Sequence, residues 1–188
     1  MTLDLTALSD GELALLSIVG RDAAFAEIVR RHRQLLYRLV VSNIGDADEA
    51  LDIVQETFVS AHTALKRYDL NRPMRSWLAT IAINKTRDWA RRRAVRRMIS
   101  FAVPIDAAVE NIRDERVGHD IELAQRQELQ RLQRAIAQLP QSLSEPLVLH
   151  TIEDMSQAET AEVLGITQKA VETRLRRARI RLAQSMRR

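Results

Sequence analysis

The chain has 188 residues, 46% of them hydrophobic and 29% charged, enough apolar content to build a packed core and to exclude disorder as its resting state. Aromatic residues make up only 4%, and five glycines and four prolines are too few for a turn-rich sandwich or barrel, so helices are favoured. Cysteine is absent, which excludes disulfides and thiolate metal sites and fits a reducing cytoplasm.

The opening segment MTLDLTALSDGELALLSIVG has no basic leader and no long apolar run, and nothing later approaches the roughly 18 apolar residues of a membrane span. The expectation is a soluble, unexported, cytoplasmic chain with no direct membrane insertion. Helix starts are marked by Ser/Asp-x-x-Glu pairs at Ser9/Glu12, Asp46/Glu49, Ser142/Glu145 and Ser156/Glu159, where side chain and backbone N–H groups satisfy one another. A first helix is predicted from Asp10 to Val19, closed by Gly20. A second runs from Asp22 to Ile44 with Phe25, Ile28, Val29, Leu36, Leu39 and Val40 on one face, broken by Gly45. The third, from Ala47 to about Arg67, repeats Leu51, Val54, Phe58, Ala61 and Leu65 at steps of three and four. A fourth begins near Pro73, a residue suited to the first helical turn, and continues into Arg91-Arg92-Arg93.

Between Met98 and Asp120 the periodicity fades. Residues 99–120 read as a flexible linker that separates a first domain, 1–98, from a second, 121–188. Helical pattern resumes at Ile121 with Leu129, Leu132, Ile136 and Leu139. Pro140 ends it, and Leu143, Leu147 and Leu149 belong to the next helix. The fold class is therefore all-α, two helical bundles in series.

Charge is distributed in blocks. Residues 1–60 carry 5 basic and 10 acidic side chains, 61–100 carry 11 and 2, 101–165 carry 5 and 12, and 166–188 carry 8 and 1. Two basic blocks attached to helical motifs point to nucleic acid, because cations that displace condensed counterions gain affinity for any phosphate backbone. Dispersed histidines at 32, 62, 119 and 150 have no metal-ligand spacing. No glycine-rich phosphate loop or nucleophile–base pair stands out, so neither catalysis nor a cofactor is expected.

The most specific local signal is MSQAETAEVLGITQKAVETRLRRARIRL. Ser156 caps one helix, Leu164-Gly165-Ile166 turns, and Thr167 caps the next. In that last helix Val171, Leu175, Ala178 and Leu182 share a face. Lys169, Thr173, Arg176 and Arg177 lie broadly opposite, with Gln168 and Glu172 on the flanks, and Ile180 projects outward without an evident role. This is a helix-turn-helix whose second helix suits a major groove. Its early residues Lys169 and Thr173 are nearer base edges, Arg176 and Arg177 suit phosphates, and Gln168 completes the expected DNA-binding set.

Three segments in order carry a resemblance. DADEALDIVQETFVSAHTALKRYD resembles the polymerase-binding segment of extracytoplasmic-function (ECF) sigma factors. RPMRSWLATIAINKTRDWARRR resembles their segment for promoter melting and −10 recognition. LP…LVLH…MSQAETAEVLGITQKAVETRLRRARIRL resembles their −35-reading domain. The resemblance implies that Asp48, Asp52, Gln55 and Glu56 dock on the beta-prime clamp helices of core RNA polymerase, with further contact to the beta subunit. It implies that Arg72, Arg75, Trp77, Asn84, Lys85, Arg87, Arg91 and Arg92 handle the −10 element, with Asn84 at the position that captures a flipped base. Trp77 is either a stacking platform or core. Met74 departs from the aromatic common there, which bears on strand separation. Promoter DNA and an anti-sigma factor are the other implied partners. A mimic that only sequesters an anti-sigma factor would lose its DNA-facing cations, and a two-domain repressor would need neither the acidic face nor Asn84.

Overall fold

The structure, a computed structural model, describes residues 3–100 and 120–187; most of the expected linker lies outside them. The described residues are helical, with no strand among them. In the first half α1 spans Asp10–Ile18, α2 Asp22–Ile44, α3 Ala47–Ala64 and α4 Met74–Ser100. In the second α5 spans Asp120–Ala137, α6 Gln141–Thr151, α7 Gln157–Leu164 and α8 Gln168–Met186.

Local chemistry explains most of these boundaries. Ser9 and Glu12 form a reciprocal capping box at α1, and Ser156 and Glu159 form another at α7. Asp46 accepts the Glu49 N–H at 3.1 Å to start α3, and Thr167 accepts that of Ala170 at 3.1 Å to start α8. Two glycines in the left-handed region end helices where a side chain would be strained. Gly45, at φ +72°, closes α2, and a Cβ there would sit 2.9 Å from Ala137 Cβ. Gly165, at φ +66°, turns the chain between α7 and α8.

Some expectations are corrected. Ser142 does not cap α6. The preceding Pro140 holds that place, its carbonyl taking the Leu143 and Ser144 N–H groups at 2.7 and 3.0 Å, and Glu145 is released for another partner. Leu51 does not join the core but is 57% exposed, because α3 buries Ala50, Ile53, Val54, Thr57, Phe58 and Ala61. Leu129 is likewise exposed. The third helix gives way at Leu65 to a single 3-10 turn, Leu65–Arg67, and α4 extends past Arg93 to Ser100.

Helices α2, α3 and α4 pack on one another, and α1 closes over α2. In the second half α6, α7 and α8 form a three-helix unit around Leu147, Val148, Leu149, Val171 and Leu175. The two halves are docked: α2 packs on α5 and α6, α4 packs on α7, and the buried side chains of both form one continuous cluster. At about 1.5–3 kcal/mol for each buried aliphatic side chain, this cluster is the main force holding the helices together.

Candidate polymerase and nucleic-acid interfaces

Helix α3 separates its residues cleanly. Its inner face builds the core, while Asp48, Asp52, Gln55 and Glu56 all stand exposed. Glu56 reaches Lys85 of α4 at 3.5 Å, and Glu49 accepts the Trp89 indole N–H at 2.7 Å, so the start of α3 is fixed against α4. Leu51 and Val59 are exposed on the same helix, which makes this surface acidic with apolar points rather than purely acidic. Sequence periodicity missed them because either of two apolar stripes could have faced inward.

Helix α4 carries the first basic block. Met74, Leu78, Ala82, Ile83 and Trp89 face the core, Met74 with 2% exposure, and Ile81 is partly buried. Met74 therefore acts as packing under the start of α4. Trp77 is half-buried and packs against Tyr68 with ring centroids 4.9 Å apart and planes tilted by 42°, and the Tyr68 hydroxyl donates to the Arg72 carbonyl at 2.5 Å. Arg93 lies over the Trp89 ring at 4.9 Å, a cation–π contact. Asn84 and Arg92 are exposed, and Arg91 is exposed beside Asp88.

Three further cations of this block, Arg72, Arg75 and Arg87, are paired. Arg87 donates through Nε and Nη2 to Glu145 of α6 at 2.8 and 2.6 Å, and the Glu145 side chain is only 2% exposed. Arg75 pairs with Glu159 of α7, and Arg72 with Glu162 at 2.6 Å. The Arg75 guanidinium, and next the Ser156 N–H, hold the Glu159 carboxyl below its ordinary range. No spacing rule announces these partners, which come from the acidic block of the second half; the alternation of charge blocks was the only sequence signal.

On α8 the expected division holds. Val171, Leu175 and Ala178 are buried and Leu182 is partly so, while Gln168, Lys169, Arg176 and Arg177 are exposed. Lys169 pairs with Glu172 at 2.8 Å, and the Thr173 hydroxyl donates to the Lys169 carbonyl at 2.9 Å. Ile180 is 51% exposed, and nothing in the structure explains it. Of the histidines, His32 bonds Asp10 at 2.8 Å, His62 lies against Phe25, and His150 bonds the Met155 carbonyl at 2.7 Å. His119 lies outside the described residues. No helix among the described residues is long and apolar enough to cross a membrane.

Comparison with known proteins decides the family. Residues 28–96 match the Sigma-70 region 2 family, and residues 129–182 match Sigma-70, region 4. The chain is 36% identical to the RNA polymerase sigma factor CnrH of Cupriavidus metallidurans, over 93% of each chain. It is 30% identical to the ECF sigma factor SigM of Mycobacterium tuberculosis, over 94% of this chain and 84% of that one. The chain belongs to the ECF sigma factors. As a member of that family it is a specificity subunit that directs RNA polymerase to initiate at particular promoters. The fold agrees: the structure of CnrH in complex with the cytosolic domain of CnrY superposes with a TM-score of 0.69 at 34% identity, covering 94% of this chain and 96% of that one. The sigma factor RpoE of Bartonella quintana, in complex with the anti-sigma factor NepR, has the same fold at a TM-score of 0.68 and 22% identity, over 87% and 96% of the two chains. In this sigma factor region 2 comprises most of α2 with α3 and α4, and region 4 comprises the latter part of α5 with α6 to α8.

Proposed function

We propose that this sigma factor divides its work by helix. Helix α3 binds core polymerase through Asp48, Asp52, Gln55 and Glu56, docking on the beta-prime clamp helices. Helix α4 engages the −10 element, with Asn84 reading an extruded base, Trp77 supporting its pocket, and Arg72, Arg75, Lys85, Arg87, Arg91 and Arg92 holding the strand. Helix α8 reads the −35 duplex through Gln168, Lys169 and Thr173, with Arg176 and Arg177 on phosphates. The protein contributes no chemistry of its own and acts in the cytoplasm. As CnrH is held by the cytosolic domain of CnrY, a protein regulator of the anti-sigma kind is the natural partner of this chain.

The observation that carries this reading is the exposure of all four polar α3 residues on a helix whose opposite face is core. An acidic surface repels DNA and suits a protein partner of opposite charge. The test is run-off transcription with bacterial core polymerase on the promoter region upstream of the chain's own gene, alongside Asp52→Lys/Glu56→Lys protein. A defined transcript with the natural chain and none with the variant, together with loss of core polymerase in a pulldown, is the expected result. Equal core binding by the two proteins overturns the assignment of this face.

A further inference from the structure

Three of the arginines proposed above to hold the −10 strand, Arg72, Arg75 and Arg87, are occupied by carboxylates of the second half, while Arg92 is exposed and Arg91 lies beside Asp88. Glu145 and Glu153 have side chains 2% and 1% exposed, and each accepts two hydrogen bonds from a single arginine. Arg87 of α4 serves Glu145, and Arg38 of α2 serves Glu153 at 3.1 and 2.8 Å. Glu159 and Glu162 on α7 pair with Arg75 and Arg72. A buried polar contact completes the seam, the Ser144 hydroxyl donating to Asn43 Oδ1 at 2.8 Å. Three of the paired carboxylates, those of Glu145, Glu159 and Glu162, thus occupy arginines in and just before α4 that the proposed −10 strand would engage through its phosphates.

We infer that the second domain carries an internal substitute for the DNA backbone, so that the docked chain masks its own −10 surface until the seam opens. The inference rests on the proposed role of α4. The energetics suit a latch rather than a permanent joint. A buried ion pair regains in Coulomb energy roughly what it loses in desolvation, while removing one partner leaves a charge stranded and is strongly unfavourable. The seam is also incompletely satisfied: Arg72 Nε, the Ser76 hydroxyl of α4 and the Thr160 hydroxyl of α7 are buried without a hydrogen-bond partner. Opening hydrates all of these groups and frees four arginines, three of them proposed to hold the −10 strand. A phosphate strand or a competing protein surface therefore has the apolar packing between the halves to overcome, and little net energy from the ion pairs.

The full-length chain tests this directly, because it has no cysteine and two introduced thiols are unique. Spin labels at Thr63→Cys on α3 and Ile180→Cys on α8 report the separation of the halves by double electron–electron resonance. The same proteins are titrated with a fluorescent single strand carrying the non-template −10 region from upstream of the chain's own gene. The opened forms are Glu145→Gln/Glu153→Gln/Glu162→Gln and, leaving the second domain's core untouched, Arg38→Gln; circular dichroism verifies that each is folded. Expected are one short distance in the parent, a longer and broader distribution in the opened forms, and strand affinity raised about threefold to tenfold as the competent fraction rises. A parent already broad at low salt, or opened forms that keep the short distance, overturns the latch. If the opened forms separate but bind no more tightly, Arg75→Ala/Arg87→Ala is added to them. Binding lost on that addition leaves the −10 reading standing and overturns the masking alone. Binding unchanged on that addition overturns the −10 reading and the masking with it.

Discussion

Asn84 is exposed on α4 while Ile83 and Thr86 beside it are buried, so its amide is held by a rigid helix yet spends none of its hydrogen bonds on the core. An amide has both a donor and an acceptor, which suits the edge of an unstacked base. Asn84→Ala is expected to leave core polymerase binding and thermal stability intact. It should lower discrimination among −10 base substitutions about fivefold to tenfold, the worth of one or two hydrogen bonds. Strand-binding measurements across single-base substitutions check this, and an unchanged preference removes Asn84 from base reading. Asp10 makes a different residue-scale prediction. Its carboxylate accepts from His32 at 2.8 Å and Arg31 at 3.0 Å, clasping α1 to α2, and the His32 bond first and Arg31 next hold its carboxyl below the ordinary carboxylate range. A carboxyl depressed on folding stabilises fully above its unfolded value, about 4, and that contribution fades as pH falls through the folded value. Protection factors of the α1 amides, corrected for the intrinsic exchange rate, should therefore fall in acid, and Asp10→Asn should show low protection already at neutral pH with little further acid dependence.

The helix is the scale at which sequence reasoning reached furthest. Second-helix boundaries at Asp22 and Ile44, the caps at Ser9, Asp46, Ser156 and Thr167, and the inward face of α8 all follow from local rules: periodicity, capping chemistry and glycine turns. Where local rules competed, the outcome was not legible. Ser142 and Glu145 have the capping spacing, but Pro140 already starts the helix and Arg87 claims the carboxylate. On α3, Ala50 and Thr57 look too small or too polar to mark a core stripe, yet their size lets α3 approach its neighbours, leaving Leu51 outside. Two predictions belong here. Ser156→Ala removes a cap whose loss costs about 1 kcal/mol, so the thermal midpoint should drop by a few degrees with the fold retained. Arg176→Ala/Arg177→Ala should weaken −35 duplex binding and flatten its dependence on salt by about one unit of slope for each phosphate contact removed. An unchanged slope in filter-binding or anisotropy titrations would reassign those arginines.

At the scale of the whole molecule the decisive contacts join residues far apart in the chain. Arg87 and Glu145, Arg75 and Glu159, and Arg38 and Glu153 have no local pattern to betray them, so the sequence disclosed two bundles but not their docking. Because the buried side chains of both halves form one cluster, the chain should unfold in a single calorimetric transition at low salt. Gly45 offers a means of separating the halves without altering an ion-paired side chain. A Cβ there meets Ala137 of α5 at 2.9 Å, and its φ of +72° disfavours any L side chain by roughly 1–2 kcal/mol. Gly45→Ala can relieve the contact by moving α5 away from the end of α2, on which it packs. The expected trace then splits in two, the second half melting first because its three-helix unit has lost the cover of α2. A trace that remains single with only a lowered midpoint would mean that the ion-paired seam and the α2–α6 and α4–α7 packing suffice to couple the halves. Combining Gly45→Ala with Glu145→Gln/Glu153→Gln/Glu162→Gln distinguishes the ion pairs from the packing, because those changes loosen α5 and remove three of the four paired carboxylates.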